Sequence, residues 1–246
     1  MCYDDSARPP LPPVRGGASN HGDVKLTSAD GTEVDAYFAH PDAPSNGAMI
    51  VLPDVRGLHD FYKELARRFA EVGMHSIAID YFGRTADTSD RGEDFPFREH
   101  VEKMHPRSVT EDVGAAAQWL RSLPGVDVAS VFTVGFCMGG ALSWGQSASG
   151  YDLKGCIGFY GVPSRVADRI PRMHAPLLIL AAGQDFTPVD EVEKFAADVS
   201  AAGVEAELHV YPDAPHSYFD RTFGDHEEAC ADSWRRILDF VDRHAT

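Results

Sequence analysis

The residues that promise chemistry sit in one short run, Gly135-Phe136-Cys137-Met138-Gly139, between the apolar stretch VFTVGF and the small-residue stretch MGGALSWG. Glycines two positions either side of a central residue permit a sharp turn from strand to helix, because a side chain at either would meet neighbouring backbone. Such a turn lifts the central side chain clear of a sheet, the nucleophile-elbow geometry usually written G-x-S-x-G. Here the centre is a thiol. At a helix N-terminus the dipole favours a thiolate, and the Met138 N–H can donate to an oxyanion forming on a carbonyl under attack. The pattern alone also fits a buried cysteine in a glycine-rich turn, so its partners decide its meaning.

A thiol nucleophile needs a base, and the base needs an acid that orients it. Elbow architectures place the acid after the nucleophile and the histidine after the acid. Asp185 closes the strand-like PLLILAAGQD, and His216 follows AELHVYPDA. Both fall at the C-terminal ends of expected strands, the edge where open parallel sheets carry their sites. Asp190 reads instead as a first-turn acid of the following helix, and Asp213 belongs to the His216 loop itself. His100, His105, His174, His209, His226 and His244 have no strand-end placement, and His75 begins a strand at the opposite edge. Cys137, His216 and Asp185 together suit acyl transfer at an ester-type carbonyl. An amide is a poorer target, since thiolate leaves a tetrahedral intermediate more easily than an amine does. No Cys/His cluster has metal-ligand spacing, so neither metal nor cofactor is expected.

The elements that must position these groups alternate along the chain. VKLTSADGTEVDAYFAHP reads as a hairpin turning at Asp30-Gly31. AMIVLPD, HSIAIDYF, SVFTVGF, LKGCIGFYG, PLLILAAGQD and AELHVYPDA are short apolar runs of buried-strand type. Helical spacing covers Asp60 to Gly73, Thr110 to Leu123, the run after Cys137, 189–202 and 226–244. This alternation predicts an α/β class: a mostly parallel central sheet with helices on both faces and an N-terminal antiparallel hairpin. Residues 84–107, polar and broken by Gly92, Pro96 and Pro106, are expected as an excursion forming the rim of a pocket. Phe61, Tyr81, Phe82, Phe95, Phe97, Tyr160 and Tyr218 are candidates for the pocket's walls. Residues 1–22, rich in Pro, Gly and polar residues, are expected as a poorly ordered tail, and 23–246 as a single domain.

The chain of 246 residues carries 22 Lys and Arg against 38 Asp and Glu, a net charge of −16. That balance argues against nucleic-acid or anionic-membrane partners, both of which select a basic face. No apolar run approaches the roughly 20 residues that span a bilayer. The N-terminus has no signal-like apolar core, and the four cysteines form no CxxC pair. A cytoplasmic protein with reduced thiols is expected.

VLPDVRGLHDFYKELARRFAEVG, AIDYFGR, VGFCMGG, LLILAAGQD and PHSYFDR, in that order, resemble the dienelactone hydrolase family of α/β-hydrolases over roughly residues 23–244. The resemblance implies an α/β-hydrolase fold and a Cys–His–Asp triad at Cys137, His216 and Asp185. It implies oxyanion donors at the N–H groups of Val55 and Met138. The family's best-known members open dienelactones, carboxylate-bearing cyclic esters, in the breakdown of chlorinated aromatic compounds. Two arginines hold that carboxylate, and they fall here on Arg84 and Arg221, with Tyr81 beside them. Arginine suits this task because its fork pairs bidentately with carboxylates. Three departures stand out. Asp54 replaces a glutamate thought to keep the thiol protonated at rest, and Arg56 replaces a more usual apolar residue, either as an added anion contact or facing solvent. The loop from His216 to Arg221 is one residue longer. The expected partner is a small-molecule ester or lactone, taken by a monomer or homodimer. The alternatives are a broad carboxylesterase or thioesterase, and a non-catalytic ligand-binding homologue.

Overall fold

The computed structural model describes residues 3–43, 46–86 and 89–245. Among the described residues eight strands form one sheet: β1 (Asn20–Thr27), β2 (Glu33–His40), β3 (Gly47–Leu52), β4 (His75–Ile79), β5 (Ser130–Phe136), β6 (Gly155–Phe159), β7 (Leu177–Gln184) and β8 (Ala206–Pro215). Their order is β1-β2-β4-β3-β5-β6-β7-β8. β1 and β2 are antiparallel, as are β2 and β4; from β4 through β8 every pairing is parallel. The central strands β3, β4, β5 and β6 are buried along nearly their whole length. Layers on both faces leave no solvated side, which is why these strands read as continuous apolar runs rather than alternations.

Among the described residues six α-helices supply those layers: α1 (Asp60–Glu71), α2 (Phe97–Lys103), α3 (Pro106–Arg121), α4 (Met138–Gly145), α5 (Val189–Ala201) and α6 (Glu227–His244). On one face Phe61, Leu65 and Phe69 of α1 and Trp234, Ile237 and Phe240 of α6 pack on Met49, Val51 and Phe132. On the other face Val113 and Leu120 of α3, Trp144 of α4 and Phe195 and Val199 of α5 pack on Ile50, Ile77 and Ile179. Because β3, β5, β7 and β8 run parallel, the residues that follow them all emerge at one sheet edge.

Two expectations are corrected here. The N-terminal stretch is not a loose tail: Tyr3 and Ala7 are buried, and the Tyr3 ring stacks on Phe61 with centroids 3.8 Å apart. The Trp234 indole N–H donates to the Pro10 carbonyl, and the Arg15 and Gly16 N–H groups donate to the Glu71 carbonyl. A proline-rich segment needs no helix or strand to dock when its carbonyls and one aromatic side chain find partners across α1 and α6. The stretch 84–107 likewise is not mere excursion. It contains α2, and α3 begins at Pro106, whose missing N–H costs nothing at a first helical position. Arg91, Phe95 and His100 are buried, with Arg91 Nη2 2.7 Å from Asp80 Oδ2. That pairing neutralises a charge whose burial the sequence pattern alone gives no reason to expect.

Candidate active site

Cys137 stands between β5 and α4 with φ 56° and ψ −116°. A non-glycine residue in that region is strained, and the surrounding backbone must hold it there. The hold is visible. The Cys137 N–H donates to the Phe159 carbonyl at 3.1 Å. A Cβ at Gly135 would strike the Gly139 backbone, and one at Gly139 would strike the carbonyls of Leu52 and Pro53. The glycines of the elbow thus let α4 press against the end of β3. The same contact brings the segment carrying Val55 beside the first turn of α4. Met138 is the first residue of that helix, so its N–H belongs to the group with no partner inside the helix.

The histidine and the acid converge on the same edge. His216 Nδ1 lies 2.9 Å from both Oδ1 and Oδ2 of Asp185, and its ring is also hydrogen-bonded to the Cys137 thiol. Asp185 has a side chain only 2% exposed, and its Oδ1 accepts the Phe186 N–H at 2.6 Å. Burial pulls the His216 pKa down, but the hydrogen bonds and charges of Asp185 and Cys137 outweigh it and raise the value to about 9. The other described thiols are unlike this one: burial pushes Cys156 and Cys230 up to about 12. Cys137 alone among the described cysteines is partly exposed.

Sequence reasoning missed some neighbours of the imidazole. Tyr160, offered only as one of several wall aromatics, has its ring 4.7 Å from His216, and Phe186, 69% exposed, lies 4.7 Å away on another side. Tyr160 and Ser217 share the positive φ of Cys137, at 37° and 68°. Strain therefore gathers around one point, as it does at functional sites. Tyr160 follows β6 and Phe186 follows Asp185, and that strand-end position is the signal that would have found them. Tyr3, whose hydroxyl meets the Tyr160 hydroxyl, carries no such signal.

The remaining predicted residues are placed differently. Arg84 is not an open carboxylate fork: Nη2 lies 2.5 Å from Asp112, Nη1 pairs with Asp30, and Thr32 accepts a further bond at 2.9 Å. Arg221 Nη2 is 3.3 Å from Glu64, and its N–H donates to the Arg8 carbonyl. Carboxylates of the chain itself thus occupy the Arg84 guanidinium on both sides, whereas Arg221, 38% exposed, makes a single contact with a carboxylate that Arg68 also binds. Tyr81 is 2% exposed and gives its hydroxyl to the carbonyls of Pro53 and Asp54, the latter at 2.7 Å. It braces the Val55 segment rather than facing a ligand. Asp54 is wholly buried, and its Oδ1 accepts the Arg56 N–H at 2.9 Å, with His59 Nε2 3.6 Å away. Arg56 does not face solvent; it too is wholly buried. Among the described residues no cluster of three His, Cys, Asp or Glu could hold a metal, and no helix is long and apolar enough to cross a membrane.

With this geometry in place, comparison with known proteins is informative. The sequence pattern of the dienelactone hydrolase family matches residues 34–245. A Salmonella typhi protein assigned as a carboxymethylenebutenolidase is 32% identical, over 91% of this chain and 87% of its own. A carboxymethylenebutenolidase of Rhodococcus opacus is 26% identical over 100% of this chain and 98% of its own. The crystal structure of a Klebsiella pneumoniae protein assigned as a dienelactone hydrolase superposes with a TM-score of 0.80 at 30% identity, covering 91% of this chain and 98% of that one. The alternating α/β sheet, the strained turn at its edge and these likenesses agree: the chain belongs to the dienelactone hydrolase family, α/β-hydrolases acting on ester bonds.

Proposed function

We propose that this protein hydrolyses a carboxylic ester, foremost a lactone of the dienelactone type, through a thioester formed on Cys137. The observation that carries the proposal is a single imidazole shared between the Asp185 carboxylate and a thiol on a strained elbow. The Cys137 sulfur attacks the ester carbonyl carbon, and the carbonyl electron pair moves onto oxygen, where the N–H groups of Val55 and Met138 can receive it. As the tetrahedral intermediate collapses, the carbon–oxygen bond breaks and the His216 imidazolium protonates the departing oxygen. Water, giving its proton to His216, then attacks the thioester; thiolate leaves and the acid is released. Asp185 holds the ring in the tautomer that presents Nε2 to the reacting atoms and stabilises its cation. An enol-type leaving group suits a thiolate attacker, which supports an activated lactone over a simple alkyl ester. The names of the relatives, carboxymethylenebutenolidase and dienelactone hydrolase, favour the same substrate class.

A panel of esters and lactones assayed on the wild type beside Cys137→Ala and Cys137→Ser tests the proposal. Turnover is expected in the wild type and none in the alanine variant. Equal turnover in both would overturn it.

A further inference from the structure

One buried cation has no part in the reaction as written. Arg56 directly follows the residue that would supply an oxyanion N–H, and its side chain is 0% exposed. Nη1 lies 2.9 Å from Asp5 Oδ1, while Nε and Nη2 have no hydrogen-bond partner among the described residues. A guanidinium does not lose its proton, and buried N–H donors without acceptors are costly. Its one ion-pair partner among the described residues, Asp5, has a side chain 58% exposed, and the charge of Asp4 also acts on it. The same segment places Tyr3 against Tyr160, the neighbour of His216. Tyr3 to Asp5 therefore runs from beside Tyr160, itself against the imidazole, to Arg56, an aromatic ring at one end and a carboxylate at the other. Arg84, by contrast, is already engaged by Asp112 and Asp30.

We propose that Arg56 is the residue by which the active site selects a carboxylate-bearing substrate, and that Asp5 holds the position the substrate's carboxylate takes. The inference rests on Cys137 being the nucleophile. An incoming ester or lactone with a carboxylate displaces Tyr3 to Asp5 from Arg56. It then engages Arg56 through two nitrogens instead of one, the bidentate arrangement that guanidinium geometry favours. A neutral ester has no carboxylate to offer Arg56 and leaves Asp5 in place. Anionic substrates should therefore be favoured by roughly 10- to 100-fold in kcat/KM, mostly through KM.

Alkylation of Cys137 by iodoacetate and by iodoacetamide reads this charge selectivity without requiring turnover, since the two reagents differ in charge and share leaving group and reacting carbon. The ratio of the iodoacetate to the iodoacetamide rate is expected to fall about tenfold in Arg56→Gln and to rise several-fold in Asp5→Asn. Asp5 is exposed, so its variant folds even if Arg56→Gln does not, and it decides the matter alone. An unchanged or reduced ratio in Asp5→Asn overturns the proposal. In parallel, Asp5→Asn should lower KM for an ester bearing a carboxylate by several-fold more than KM for its neutral methyl-ester counterpart. Ester turnover with an Arg56-independent ratio sinks the role of Arg56 alone. An Arg56-dependent ratio without any turnover sinks the hydrolase mechanism alone.

Discussion

At the scale of the residue, the chemistry depends on how charge is shared between a sulfur, an imidazole and a carboxylate. The His216 pKa, raised to about 9 against burial by Asp185 and Cys137, makes the imidazolium the dominant form at neutral pH. The sign for stability follows from that. A raised histidine pKa stabilises the folded chain fully below the unfolded value near 6.5, and the contribution is lost as pH rises through about 9. The imidazolium beside the thiol also predicts an unusual alkylation profile. An isolated thiol reacts about tenfold faster per pH unit below its pKa, whereas the rate for Cys137 should rise less steeply than that between pH 6 and 8, because an adjacent imidazolium favours the thiolate. Cys156 and Cys230, pushed to about 12, should stay silent in the same peptide-mass experiment. A tenfold-per-unit slope for Cys137 would count against an ion pair. Asp185→Asn should reduce kcat by roughly 10³ to 10⁴ with little change in fold, because the amide favours the wrong tautomer.

At the scale of the element, the elbow and the braces around it carry the predictions. Gly139 touches the carbonyls that end β3, so Gly139→Ala must separate α4 from that strand. The expected cost is about 1–3 kcal/mol in urea denaturation together with loss of turnover, since the Val55 and Met138 donors then no longer face one point. An alanine variant of native stability and full activity would show that the close approach is unimportant. Arg84 belongs to this scale as well. It links the β1–β2 turn at Asp30 to α3 at Asp112, whose carboxylate is wholly buried. Arg84→Ala leaves that carboxylate unpaired, so stability should fall by about 3 kcal/mol while discrimination between anionic and neutral esters stays as it was. Changed discrimination at unchanged stability would return Arg84 to the substrate.

At the scale of the whole molecule, the N-terminal segment ties the two sides of the site together. The Arg8 N–H donates to Asp220 while the Arg8 carbonyl accepts the Arg221 N–H, and Asp5 meets Arg56. The segment thus spans from the loop of the proposed base to the loop of the proposed oxyanion donor. Removal of residues 1–10 should leave the eight-stranded sheet intact, since β1 starts at Asn20, yet lower Tm by several degrees. The same deletion should speed reaction of Cys137 with a neutral alkylating agent. An unchanged melting curve and an unchanged rate would mean the segment neither braces nor covers the site.

Much of this was legible in the letters, and for a physical reason. Apolar runs of strand length alternating with helical spacing admit few packings, and the G-x-C-x-G turn could sit in only one of them, so the sheet class and the position of Cys137 followed. The order of Asp185 and His216 at strand ends followed too, because parallel strands deliver their C-termini to one edge. What the letters could not tell was which charges neutralise which. Arg84, Arg221, Arg56 and Arg91 are the same residue in sequence, and only the folded chain decides that Asp112, Glu64, Asp5 and Asp80 lie against them. Proline-rich composition likewise predicts disorder when read locally, whereas Tyr3 and Pro10 are ordered by partners more than fifty residues away. Local pattern determines elements; the partners of charged and terminal groups are long-range, and three-dimensional packing alone selects them.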